Sequence, residues 1–230
     1  MASIFGQNLS PVTQRASGFP LPFQMGGVQV TFTDYGGAIS APLFYVSPNQ
    51  INFQVPTSIY SYGGIYDFPT HVVVTMPVGT SDPVAVYVAQ QGPGILTLDG
   101  SGCGQGALLN SLPDGGVQVH GPSASVQPGD WISVYFTGFG LVGHGGGIMP
   151  PDGQPAGYTP QKGFNAAAWP GGSFTIGSTG GAYASSQYWG HAPGTVGIDQ
   201  ANFRIPDGVA EGCQVPLRLL LFGRLANRSR

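Results

Sequence analysis

The residues best suited to hold a metal or to act as a base are four histidines: His71, His120, His144 and His191. No two have the short spacing of a zinc site such as H-x3-H or H-E-x-x-H. Only distant convergence could bring them together, so no metal is expected, and His71 and His120 are expected on exposed strand faces. The ten acidic residues offer carboxylates for acid–base work. A glycosidase needs two of them facing each other across a cleft. Asp130, Asp152, Asp199 and Asp207 each stand beside Gly, Pro or a strand end, where an Asp side chain bonds its own local backbone. Asp99-Gly100-Ser101-Gly102 has the start of a calcium loop but lacks the repeated acidic positions.

His144 lies in a glycine run, Gly143-His144-Gly145-Gly146-Gly147. Such a run can serve as an oxyanion-donor segment, but only beside a G-x-S-x-G elbow and alternating helices, and the sequence has neither. The run therefore reads as a flexible turn. Cys103 and Cys213 are the only cysteines, each beside a glycine in a turn-like context. In an oxidising compartment they are expected to form a disulfide within the second half of the chain. Tyr158, Phe164, Trp169, Tyr188 and Trp189 fall outside any clear strand pattern. They are the candidate ligand-binding residues, since exposed rings of this kind stack on sugars. No catalytic residue and no cofactor is assigned.

The elements that must position these residues are organised around Ala41–Pro56, APLFYVSPNQINFQVP. Ile51, Phe53 and Val55 alternate with Asn52 and Gln54, a period of two that puts apolar side chains on one strand face and amides on the other. Pro56 ends the pairing because it has no N–H to donate. The motif returns as Gln200-Ala201-Asn202-Phe203-Arg204-Ile205-Pro206, matching Gln50–Pro56. Ser133-Val134-Tyr135 likewise echoes Ser3-Ile4-Phe5. An internal repeat implies duplicated structure, with Phe53 and Phe203 equivalent and both buried.

Gly (39) and Pro (21) are abundant, but hydrophobic content of 41% supports a packed core, so they read as turn residues between short strands. No window shows a capped helical period. The expected fold is all-β, two tandem immunoglobulin-like sandwiches: residues 1–92, and residues 93–230 with a long irregular loop over 143–172. Any ligand site is expected in that loop and the adjoining Tyr183–His191 segment, because sandwich loops carry recognition.

Charged residues are only 7% of the chain, the net charge is −3 and Lys162 is the one lysine. Arg218, Arg224, Arg228 and Arg230 are too few to neutralise a run of phosphates, so nucleic acid is not an expected partner. The longest apolar run, Leu217–Phe222, is short and broken by Arg218, so no membrane span is expected. No signal peptide is visible before Ser3-Ile4-Phe5, which already reads as strand. A piece of a larger protein is the expectation.

Ser3–Pro11, SIFGQNLSP, resembles the opening of IPT/TIG immunoglobulin-like domains. FYVSPNQINFQVP, together with the PGIL…DGSGCGQGALLN segment (93–110), resembles the uncharacterised C-terminal module of secreted acidobacterial proteins, the Solibacter-type module. The resemblance implies an extracellular or cell-surface setting and brings no catalytic residues. The expected function is a non-catalytic structural or adhesion module. Its partners would be other domains of a larger secreted protein, or copies of itself paired through uncharged strand edges. The alternative is a carbohydrate-active protein, either a polysaccharide-binding module or a hydrolase, using aromatics of the 143–191 region.

Overall fold

The computed structural model describes residues 1–60, 69–89, 91–140, 150–157, 172–177, 186–209, 212, 214–221 and 224–226. The chain divides into two compact units. The first comprises residues 1–90, 149–157 and 194–196; the second comprises 91–148, 158–193 and 197–230. The regular elements described are strands, apart from one 3-10 turn at Thr57–Tyr60, and the strands form small antiparallel sheets. The expectation of an all-β protein holds at that level.

The strands of the first unit are β1 (Ala2–Phe5), β2 (Gln14–Arg15), β3 (Gln29–Asp34), β4 (Gly37–Ser40), β5 (Leu43–Ser47), β6 (Gln50–Phe53), β7 (Thr70–Met76), β8 (Gly79–Thr80) and β9 (Val84–Val86). One sheet runs β1-β6-β5-β2; the other runs β4-β3-β7-β8, with β9 also on β7. Alternation decides what each sheet buries. Ile51 and Phe53 of β6 point into the core while Gln50 and Asn52 do not. Val30 and Phe32 of β3 meet them from the second sheet, with Phe32 and Phe53 ring centroids 5.8 Å apart. Ser47, buried at the end of β5, accepts the Gln50 N–H on its Oγ at 3.0 Å across the turn to β6.

The alternation misleads at Gln54, which is buried rather than on an open amide face. The reason lies far away in sequence. Residues 150–157, expected with the second half, belong to the first unit. There Gln54 Oε1 accepts the Gly153 N–H at 2.7 Å, and Leu21 N–H donates to Gly153 O at 2.8 Å.

The strands of the second unit are β10 (Gly94–Ile95), β11 (Leu108–Ser111), β12 (Val117–Val119), β13 (Trp131–Thr137), β14 (Gly172–Ile176), β15 (Ser186–His191), β16 (Asp199–Arg204), β17 (Leu217–Leu221) and β18 (Arg224–Leu225). One sheet runs β12-β11-β13-β16-β15, with β10 also on β13; the other runs β14-β17-β18. Both contribute to one core, with Val134 and Phe136 from β13, Phe203 from β16, and Phe174 and Leu219 from β14 and β17.

The two units repeat each other in chain order and in register. Ser3 faces Asn52 and Ile4 faces Ile51 across β1 and β6; Ser133 faces Asn202 and Val134 faces Ala201 across β13 and β16. On the other side of the central strand, Tyr45 faces Asn52 beyond an irregularity at Leu43/Tyr45, and Tyr188 faces Asn202 beyond one at Ser186/Tyr188. The Gln50 side-chain amide donates to Asn52 Oδ1 at 2.8 Å, and the Gln200 amide to Asn202 Oδ1 at 2.8 Å. In the second sheets, β3 pairs with β7 as β14 pairs with β17. Phe53 and Phe203 are equivalent and both buried.

Candidate functional site

Of the five aromatic candidates, Tyr188 and Trp189 lie among the described residues. Trp189 is 2% exposed. It stacks on Phe174 at 4.9 Å and on Phe139 at 5.9 Å, and meets Phe136 edge-on at 6.1 Å. Its place on β15 opposite Ala201 turns it into the core, so it offers no face to a sugar. Its Nε1 is buried without a hydrogen-bond partner. Tyr188, on the opposite strand face, is half-buried, and its hydroxyl donates to His191 O at 2.6 Å. Burial, and to a lesser degree the Asp199 charge, raises its pKa. Tyr158, Phe164 and Trp169 lie outside the described residues, as do His144 with its glycine run and Cys213. Cys103 is exposed with a free thiol, so the expected bridge to Cys213 is not seen.

Several carboxylates are occupied by structure, though not always by local structure. Asp130 behaves as a turn residue, accepting the Gln127 N–H at 2.8 Å. Asp99 Oδ1 accepts the Ser101 N–H at 3.0 Å and hydroxyl at 2.8 Å. The Ser101 backbone bond is the main cause holding its pKa below the ordinary carboxylate range. The loop has turned its carboxylate onto its own backbone. Asp152 departs from the expected local role: its carboxylate accepts the Thr57 N–H at 3.0 Å and hydroxyl at 2.9 Å. Asp199 departs too. It is buried, with Oδ2 accepting the Phe139 N–H at 2.9 Å and Oδ1 2.8 Å from His191 Nδ1. Among the described residues no group of three or more His, Cys, Asp or Glu gathers as a metal site would require.

One cleft of about 480 Å³ opens in the second unit. Leu108, Ile132, Ile176, Ile205 and Leu217 give it apolar walls, all of them core residues of strands or strand ends. Four polar side chains, Gln105, His120, Ser125 and Gln127, also line it. Gln105 Nε2 is buried with no hydrogen-bond partner. His120 is half-buried rather than on an exposed face. Its Nδ1 lies 3.0 Å from Asn110 Oδ1, while Asn110 Nδ2 donates to Ala124 O at 2.6 Å. That second bond fixes the Asn110 amide, so His120 Nδ1 is the donor and Nε2 is left as an acceptor in the neutral ring. Burial lowers the His120 pKa and favours that neutral form.

Comparison with protein-family models, curated proteins and solved structures finds no match. The geometry alone therefore carries the functional reading. The cleft can enclose an apolar group and offer it the buried Gln105 amide and the His120 imidazole acceptor, and no carboxylate is among its described lining residues. Sequence reasoning misses it, because Gln105 and His120 lie on opposite sides of the β11–β12 hairpin and neither stands in a motif. No helix among the described residues is long and apolar enough to cross a membrane.

Proposed function

We propose that this chain is a non-catalytic extracellular or cell-surface module with a structural or adhesive role, built from two immunoglobulin-like units of the IPT/TIG kind. The observation that carries this reading is the chemistry of the surface. Large apolar side chains stand exposed on and beside uncharged strands: Phe5 on β1, Tyr35 between β3 and β4, Val78 between β7 and β8, and Val117 and Val119 on the edge strand β12. Tyr35 is 89% exposed and Phe5 74%. Edge strands in soluble proteins are commonly guarded by Lys, Pro or inward charges. β1, β4 and β12 carry no charge at all. Such a surface recognises by apolar and backbone contact with neighbouring domains or chains.

The carbohydrate alternative loses Trp189 to the core, and nothing in the described geometry favours it over the structural role. Antibody against the chain should label intact cells of the source organism, and brief proteinase K treatment of those cells should remove the label. Labelling seen only after permeabilisation overturns the assignment.

A further inference from the structure

The duplication exposes a difference between the units at one strand edge. In the second unit the edge of β13 facing away from β16 is covered: β11 pairs with it antiparallel, Leu108 opposite Val134 and Leu109 opposite Ser133, and β10 continues along it. In the first unit β1 occupies the equivalent place beside β6 and, among the described strands, is the end strand of its sheet. Burial follows this difference. Val134 is fully buried, whereas its counterpart Ile4 is only half-buried; Tyr135 is half-buried, whereas its counterpart Phe5 is exposed.

The backbone on that edge is oriented for pairing. Gly6 N–H donates toward β6, to Asn49 O at 3.2 Å. Backbone groups alternate sides along an antiparallel strand, so those of Ser3 and Phe5 point the other way. In the second unit the counterpart of Phe5 uses both of these groups: Tyr135 N–H donates to Ala107 O at 3.2 Å, and Tyr135 O accepts Leu96 N–H at 3.0 Å.

We propose that the outer edge of β1 accepts an extended, uncharged strand from a partner polypeptide, taken antiparallel in the register that β11 uses on β13. The chemistry of the guest follows from the strand that fills the equivalent edge. Residues 106–111, GALLNS, carry no charge and present consecutive leucines, one to each face of the sheet. Leu108 is buried beside Val134, so the guest needs an apolar residue beside Ile4. Residues 1–11 are likewise uncharged, so selection works through backbone bonds and apolar fit. A second copy of this chain is the weaker occupant. Four residues of β1 paired with themselves bury far less than the roughly 1,200–2,000 Å² of a stable protein interface. The proposal deepens the reading of the chain as a non-catalytic module, yet the two fail separately, because peptide binding in solution is independent of where cells place the protein.

The test is fluorescence anisotropy with a labelled GALLNS peptide, flanked by lysines for solubility, titrated with the full chain. Saturable binding is expected. Phe5→Pro removes an outward N–H while leaving the bonds to β6 in place, as edge prolines do, and should weaken binding roughly tenfold. Phe5→Thr keeps the backbone donor and should retain binding. Amide exchange on the wild-type chain provides a check that needs no variant: the peptide should slow exchange at Ser3 and Phe5. The proposal is overturned by absence of saturable binding, by equal affinity in Phe5→Pro, by no protection at those amides, or by a wild-type dimer that Phe5→Pro dissociates.

Discussion

Burial sets the charge of His120 and makes it a reporter of the cleft. Its folded-state pKa lies below the ordinary 6.5 because the imidazolium is penalised by desolvation. Between the lowered value and 6.5 the unfolded chain binds more protons than the folded one, so stability rises with pH across that window. Above the window both states are neutral and the contribution is flat. Melting temperature measured from about pH 7.5 down to about pH 5 should therefore fall more steeply in the wild type than in His120→Gln. Parallel curves for the two proteins would show that burial of this ring does not shift its titration. Trp189 allows a sharper comparison. Trp189→Ala removes a ring packed against Phe136, Phe139 and Phe174, and should cost about 3–5 kcal/mol in denaturant unfolding. Trp189→Phe keeps an aromatic ring in the stack and deletes a buried N–H with no partner, so its cost should be much smaller. Equal losses in the two variants would mean that the ring is not what fills the site.

At the scale of elements, legibility followed the regularity of alternation. Ser133-Val134-Tyr135, which echoes the first strand in sequence, lies within the strand Trp131–Thr137, and Ile51 and Phe53 point inward as their period of two requires. β15 is not legible in SQYWGH. The irregularity between Ser186 and Tyr188 breaks the period of two, and a Gly-His end looks like loop, so the sequence leaves Trp189 open between covering the second core and serving as a platform. The duplication settles its burial, since Val46 of β5 holds the equivalent position opposite Ile51, as Trp189 does opposite Ala201. Gln54, Asp152 and Asp199 fail for another reason. Each finds its partner dozens of residues away: Gln54 at Asp152 and Gly153, Asp152 at Thr57, and Asp199 at Phe139. Turn propensity describes only what an Asp does with its neighbours, and a single sequence carries no signal for such long-range bonds. The cleft was illegible on the same grounds.

At the scale of the whole molecule, the duplication implies that the chain carries two separate cores rather than one extended one. Phe53 packs with Phe32 and other residues of the first unit, and Phe203 stacks on Phe174 at 4.7 Å in the second. The loop over residues 192–198 replaces the tight turn of the first unit between the paired residues Ser47 and Gln50, since His191 and Asp199 now flank it. A core lost from one unit should therefore loosen that unit first, because local stability follows the contacts a region buries. Phe203→Ala should cost about 3–5 kcal/mol and speed amide exchange in β13, β16 and β17. Exchange in β3, β5 and β6 should stay near the wild-type rate. Phe53→Ala should do the reverse. Hydrogen-exchange mass spectrometry of the two variants reads both patterns at once. If either substitution accelerates exchange equally in all six strands, the chain unfolds as one cooperative body and the duplicated cores are not independent units of stability.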